Sequence, residues 1–399
     1  MLSVAEATQR ILATARPLSP ETVPLTAAVG RVLRQDIVAD RDFPPYHRVT
    51  MDGIALRYDA LQAGQTEFAI ERIQLAGATP EPLGNPRAAI EIMTGAALPP
   101  GADTVVRYED LDVANGRATV RVAPARLGHN VHAQGSDEAQ GTRLLATGQR
   151  LSPAEIAVAA TVGAATVAVS RRPRLAVVST GDEIVPVEAT PLPHQIRSSN
   201  AAMLQAALLL DGAECEVFHF NDDLVSLKAS LPPLLASYDA VLLSGGVSKG
   251  KADFLPQALR ESGVEELFHR VLQRPGQPLW FGQQPGGAVV FALPGNPVAT
   301  FAAYYRYVRG WLAQVQGRLP APVQYAVLTE PVDFKPALTY FLAVRLQQAP
   351  DGRLLAHPAP TSGSGDLAGL LDADGLLELA PELVRFEAGT AWPVWAYRA

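Results

Sequence analysis

The sequence predicts a multidomain α/β protein, and three features of its 399 residues carry that expectation. From Arg171 to about Gln316, short apolar runs alternate with helical stretches, the spacing of a parallel sheet with helices on both faces. From Pro44 to His132 the chain reads as strands divided by Gly and Pro clusters. Helical patterns stand on either side of that stretch, so it reads as an insertion. From Pro322 onward the text is strand-rich again.

The elements follow in order. Ser3 and Glu6 form an S-x-x-E capping box that opens an amphipathic helix. Pro44-Pro45 stops regular structure. Phe68 to Ile73 and Ala118 to Val122 have strand character, and Gly135 to Val169 returns to a helical pattern rich in small residues. Leu175 to Ser179 is a buried strand. Asn200 to Leu210 is a helix closed by Gly212. Cys215 to Phe220 is a strand, followed by a helical stretch broken at Pro232-Pro233. Asp239 to Leu243 is a strand and Ala252 to Glu261 a helix. Pro278 to Gly282 and Ala288 to Leu293 are strand-like, and a helix starts at Pro297. Gln324 to Leu328, Thr339 to Leu346, Leu376 to Leu379 and Trp392 to Tyr397 form a small β domain.

Composition removes several classes of function. The net charge of −7 argues against a duplex nucleic-acid binder. One cysteine, Cys215, permits no intrachain disulfide and no multi-thiolate zinc site. It sits in an apolar strand and reads as a buried structural thiol. His129 and His132 lack further ligands in a recognisable pattern and read as surface loop. Glu6 and Arg10 interrupt what a signal peptide would need. The apolar run Ile156 to Val169 is shorter than the ~18 residues of a membrane span and reads as a helix packed inside the protein. A soluble, cytoplasmic protein is expected.

Ligands of open α/β sheets bind beyond the carboxyl ends of the strands. Those positions hold Ser179-Thr180-Gly181-Asp182-Glu183, Asn221-Asp222-Asp223 and Ser244-Gly245-Gly246-Val247-Ser248-Lys249-Gly250 with Asp253 beyond. Arg274-Pro275-Gly276-Gln277-Pro278 and Leu293-Pro294-Gly295-Asn296-Pro297 follow. Glycine turns bring backbone N–H groups close to an anion. Asn296 suits an N-cap and Pro297 the first helical position. Arg270 and Arg274 add fixed positive charge. Glu183, Asp222 and Asp253 follow different strands and offer hard oxygen ligands for Mg²⁺. Together these loops suit a phosphorylated or nucleotide-bearing ligand with Mg²⁺, although each alone is an ordinary turn.

With Met51-Asp52-Gly53 and Met93-Thr94-Gly95-Ala96, these loops form an ordered set along nearly the whole chain. The set resembles the molybdopterin molybdenumtransferase family, to which the gephyrin E domain belongs. The resemblance implies an elongated homodimer of four-domain subunits. Residues 1–43 and 133–170 would form a split N-terminal domain, 44–132 an inserted β-rich domain, 171–318 a molybdopterin-binding α/β domain and 319–399 a C-terminal β barrel. It also implies a reaction: adenylylated molybdopterin binds, its phosphoanhydride is cleaved with Mg²⁺, molybdenum enters from molybdate, and AMP leaves. A molybdopterin adenylyltransferase is the implied partner.

Carried over by position, Asp52, Glu183, Asp222, Asp253, Arg270 and Arg274 look catalytic, with Glu183, Asp222 and Asp253 at the metal. Thr94, Thr180, Gly181, Asp182, Ser244, Gly245, Gly246, Ser248, Pro275, Gly276, Pro294, Gly295, Asn296, Pro297 and Ser364 look like cofactor-binding positions. Asp52 and Thr94 would close over the site of the other subunit. The chain departs from the family pattern at Arg274 and Gln277, where the family usually has two lysines, at Arg270, where the family has another, and at Ala299, where the family has a serine. An arginine expected in the strand Thr339 to Leu346 is out of register, with Arg345 nearby, and Arg48 or Lys249 is a candidate to replace lost charge. Two alternatives remain: molybdopterin adenylylation, which typically needs the α/β domain alone, and a non-catalytic cofactor-binding or scaffold relative.

Overall fold

A computed structural model describes residues 1–246, 254–359, 363 and 365–398. The first helix, Val4–Ala13, has the expected capping box: the Ser3 hydroxyl accepts the Glu6 N–H at 3.2 Å, and the Glu6 carboxylate accepts the Ser3 N–H at 2.8 Å. Its buried face, Val4, Ala7 and Ile11, packs into the same apolar cluster as Leu175, Val177 and Phe291.

The chain then leaves and re-enters one small layer. Pro20–Pro24 pairs antiparallel with Thr166–Ser170, and Ile37–Val38 with Arg143–Leu145. Here the sequence expectation is corrected. Between Gly135 and Val169 the only α-helix is Pro153–Thr161, and the run to Val169 is not one helix. Gly163 turns the chain at φ +75°, and Val167 and Val169 enter a strand as alternate, buried positions. A short apolar run does not declare its period, and its strand partner lies far away in sequence.

Between these strands sits a six-stranded sheet in the order Thr104–Arg107, Gly53–Leu56, Ala89–Ile92, Glu67–Gln74, Arg117–Val120, Leu111–Ala114. Ile54, Leu56, Phe68 and Val106 fill its core. Gly53 is obligatory: a Cβ there would lie 1.9 Å from the Val106 carbonyl oxygen.

The central sheet runs Glu214–Phe220, Arg174–Thr180, Ala240–Ser244, Val289–Leu293, Trp280–Gln283, Glu265–His269. The first four strands are parallel, as expected, but Trp280–Gln283 runs antiparallel to both its neighbours, so that Glu265–His269 returns to the direction of the first four. The short link between Gln283 and Val289 permits only a hairpin, because a parallel crossover needs about a dozen residues. Strand Glu265–His269 was not expected. The helix Leu224–Ser237 also corrects the sequence reading, since it continues through Pro232 and Pro233. Both prolines are exposed, as are Lys228 and Ala229, whose carbonyls lose their helical N–H partners on the face turned to solvent. Leu227, Leu231, Leu234 and Leu235 hold the other face in the core. The helix Pro297–Ala303 passes through a π-turn, Tyr304–Val308, into Arg309–Val315.

The last region closes into a five-stranded ring of Thr339–Gln348, Leu354–Pro358, Tyr325–Leu328, Ala391–Ala396 and Gly375–Leu379. Leu328, Leu342, Val344, Leu377 and Val394 pack inside it. Gln273 and Arg274 pair in parallel with Thr339 and Tyr340, tying the ring to the central domain. Among the described residues, no helix is long and apolar enough to cross a membrane.

Candidate functional site

Strand register brings the expected loops together. Thr180 lies beside Phe220, Ser179 beside Ser244, and Ser244 beside Leu293. The turns at Gly181–Glu183, Asn221–Asp223, Gly245-Gly246 and Pro294–Asn296 therefore leave one sheet edge side by side. Gly181, Gly245 and Gly246 have φ of +134°, +108° and +67°. A Cβ on Gly245 would come within 2.8 Å of the Thr180 Oγ1 and 2.9 Å of its carbonyl oxygen.

Among the described residues, two polar atoms at this edge are buried without a hydrogen-bond partner, Thr180 Oγ1 and Asn200 Oδ1. The Asn200 amide faces the other way. Its Nδ2 donates to Ser244 Oγ and to the Gly295 carbonyl, both at 2.8 Å, and the carbonyl, which only accepts, fixes the orientation. Asn200 was missed as a site residue, because at the start of a helix it reads as ordinary. Asn296 takes the N-cap position with Pro297 next, but its side chain makes no capping bond; the Thr300 N–H donates to the Asn296 carbonyl at 3.0 Å.

The acids divide by role. Asp223 caps the helix Leu224–Ser237, and hydrogen bonds from Ser226 hold its carboxyl below the ordinary value. Asp222 precedes it at the strand end. Glu183 folds back over Gly181, its Oε2 2.7 Å from where a Cβ would stand, and Asp182 is exposed. Among the described residues there is no group of three His, Cys, Asp or Glu placed to hold a metal ion. Asp253, Ser248, Lys249 and Ser364 lie outside the described residues.

A second element is the loop 270–278. Arg270 adopts φ +80°, a left-handed conformation that costs a non-glycine residue ~1–3 kcal/mol. Leu2 N–H donates to its carbonyl at 3.2 Å, and its own N–H donates to the Leu279 carbonyl at 2.8 Å. Arg274 is exposed, and Gly276 turns at φ +85°. Ala299, where the family has a serine, faces this turn: its Cβ is 3.6 Å from a Cβ built on Gly276. The Gln277 amide donates to the Met1 sulfur at 3.4 Å.

Asp52 and Thr94 meet in the inserted sheet. The Asp52 carboxylate accepts the Thr94 N–H at 2.6 Å, and hydrogen bonds from Thr94 hold its carboxyl below the ordinary value. Among the described residues, no hydrogen bond links this pair to the loops above. Arg48 lies beside His132, 3.2 Å from Nδ1, whose Nε2 is 2.7 Å from Asp137. Arg345 is exposed on the barrel, beside His357 in strand register. Cys215 is half-buried on the edge strand, and burial pushes its thiol up.

Comparison with known proteins covers the whole architecture. Residues 2–163 match the MoeA N-terminal region (domain I and II), 176–314 a probable molybdopterin binding domain, and 325–397 the MoeA C-terminal region (domain IV). The chain is 34% identical over 401 residues to a molybdopterin molybdenumtransferase of Synechocystis sp., covering 100% of both chains. It is 30% identical to that of Bacillus subtilis, with 98% of this chain and 96% of the relative covered. The solved structure of a molybdopterin biosynthesis MoeA protein from Pyrococcus horikoshii superposes over 100% of both chains, with a TM-score of 0.86 and 26% identity. The chain thus belongs to the molybdopterin molybdenumtransferase family.

Proposed function

We propose that this protein inserts molybdenum from molybdate into adenylylated molybdopterin, with Mg²⁺-dependent cleavage of the phosphoanhydride and release of AMP. One observation carries the reading. Among the described residues, Thr180 Oγ1 and Asn200 Oδ1 are buried without a partner at the glycine-lined edge. A buried, unsatisfied polar atom costs about 1–3 kcal/mol, which a bound ligand with complementary groups recovers.

In this reading the pterin nucleotide lies along the edge formed by Thr180, Gly181, Ser244, Gly245, Gly246 and Pro294–Pro297, and backbone N–H groups meet its phosphates. Arg270 and Arg274 hold negative charge on phosphate or molybdate, Arg274 with a bidentate fork. The carboxylates of Glu183 and Asp222, hard oxygen donors at adjacent strand ends, fit Mg²⁺, and Asp253 would complete the set. The ion, when bound, neutralises phosphate charge. Among the described residues, Asp52 and Thr94 make no hydrogen bond to the central loops of their own subunit, which favours their closing over the site of a second subunit in a homodimer. The clusters around Leu33 and Val169, Ile54 and Phe68, Leu242 and Phe291, and Leu342 and Leu377 suit a split first domain (1–43, 133–170), an insert (44–132), a cofactor domain (171–318) and a barrel (319–399), except that the first helix, Val4–Ala13, packs on the cofactor domain's core. A molybdopterin adenylyltransferase supplies the substrate, in the cytoplasm.

The test is AMP release from adenylylated molybdopterin by the purified protein with Mg²⁺, with and without molybdate or tungstate. Release that needs the oxyanion and is lost in Asp222→Ala is expected. Tight binding without release under any oxyanion would show a carrier or scaffold instead.

A further inference from the structure

Gln273 and Tyr307 are each 1% exposed, an unusual depth for polar side chains beside a surface loop. The Gln273 Nε2 donates to the Pro275 carbonyl at 3.2 Å and to the Gly276 carbonyl at 3.1 Å. Carbonyls only accept, so this end of the amide is the NH₂. Its Oε1 accepts the Tyr307 hydroxyl proton. Burial pushes the Tyr307 phenol up, so it remains a donor at any physiological pH.

The consequence falls on the N–H groups of the same loop. With both carbonyls drawn inward, the N–H groups of Gly276 and Gln277 have no protein acceptor among the described residues. Gly276 is left-handed and buried, and successive N–H groups with no acceptor among the described residues are what an anion-binding concavity is built from. Arg274 is exposed beside them. A Cβ on Gly276 would come within 3.1 Å of the Gln273 Nε2, so any other residue there would press on the clamp as well as strain the turn.

Tyr307 is itself held. It lies in the π-turn Tyr304–Val308, a distortion that recurs at functional sites. Its neighbour Arg306 is ion-paired with Glu378 of the barrel at 2.7 Å, with side chains only 10% and 18% exposed. The Trp395 indole N–H donates to the same carboxylate at 2.7 Å. The phenol thus projects from a helix fixed to the barrel.

We infer that Tyr307 and Gln273 are positioning residues that turn the backbone N–H groups of the Arg274–Gln277 loop toward the oxyanion substrate. The inference rests on the proposed function and adds residues outside the loop's own chemistry. Without the Gln273 amide, the two carbonyls would either stay buried unsatisfied or rotate outward and present negative ends to the anion.

The test is calorimetric titration of the full-length protein with molybdate, alongside steady-state AMP release, for the unaltered chain, Tyr307→Phe, Gln273→Met, their combination and Arg274→Ala. Each single change at the pair should weaken molybdate binding about tenfold, the effect of one positioned hydrogen bond. The KM for molybdate should rise with kcat nearly unchanged. The double variant should be no worse than Gln273→Met, because Tyr307 acts through the amide; a general packing defect would add instead. Circular dichroism checks the fold, and Tyr307→Phe, which removes one oxygen, decides if Gln273→Met does not fold. Unchanged affinity in Tyr307→Phe, with binding lost in Arg274→Ala, overturns the inference and leaves the proposed function standing. Absence of oxyanion-dependent AMP release from the unaltered chain overturns both.

Discussion

The two anion-facing regions of the central domain are built by opposite means. The Thr180–Gly245 edge is a product of the sheet. Strand register puts its turns side by side, and glycines let them approach within van der Waals contact. The loop 270–278 lies beyond the strands Glu265–His269 and Trp280–Gln283 and is shaped by side chains and chain ends. Gln273 holds its carbonyls, and Leu2 holds Arg270. The first should behave as a rigid platform, where any added atom is costly. The second should be tunable, since single side chains set its shape. Four departures from the family pattern, at Arg270, Arg274, Gln277 and Ala299, fall in or against the tunable loop, whereas the out-of-register arginine belongs to the barrel strand Thr339–Gln348.

The sharpest way to break this contrast is Gly245→Ala. The new methyl meets the Thr180 carbonyl and hydroxyl in a backbone conformation that favours glycine. Oxyanion-dependent AMP release should fall at least about a hundredfold, and chemical denaturation should show a loss of ~1–3 kcal/mol. Full activity with normal stability would mean that the edge is not rigid.

A smaller and opposite effect is expected at Arg270→Gly. Removing the left-handed strain should raise stability by ~1 kcal/mol, read as a higher Tm. The lost charge should weaken molybdate binding. A variant less stable than the parent would show that the Arg270 side chain contributes more than its backbone conformation costs.

The smallest effect belongs to the insert. Hydrogen bonds from Thr94 lower the Asp52 carboxyl, so the ionised form is favoured in the folded state. That contribution is present above the unfolded value near ~3.9 and is lost as pH falls through the lower folded value. Asp52→Asn should therefore be slightly less stable than the parent at neutral pH and equal to it in strong acid. Thermal melts across that range check the sign; a gap that widens on acidification would contradict it.

How much of this was legible in sequence differs between the same two regions. The edge was legible residue by residue, because glycines, a strand-ending threonine and an Asn-Pro pair sit next to the strands they terminate. Asn200 was not, because its role comes from Ser244 and Gly295, which are remote in sequence. In the loop, Arg270, Arg274 and Gly276 were legible as charge and turn. The clamp was not, since Gln273 reads as one more polar residue and Tyr307 as one more core aromatic. The misread segments follow the same logic. Nothing near Val167 says that its strand partner is Val23, and nothing near Pro232 says that its face is exposed.

The sequence by itself determined the alternation that makes the central sheet, the glycine turns at its edge, the acids after its strands and the order of motifs that marks the family. These are local properties, set by side-chain periodicity and backbone preference over a few residues. Only the tertiary structure decided the reversal of Trp280–Gln283, which strands pair to close the expected barrel, the buried atoms at Thr180 and Asn200 that lack a partner among the described residues, and the Tyr307–Gln273 clamp. Each of those depends on which distant groups end up within hydrogen-bonding distance, and a buried polar atom takes its meaning from the partner that folding brings to it or withholds.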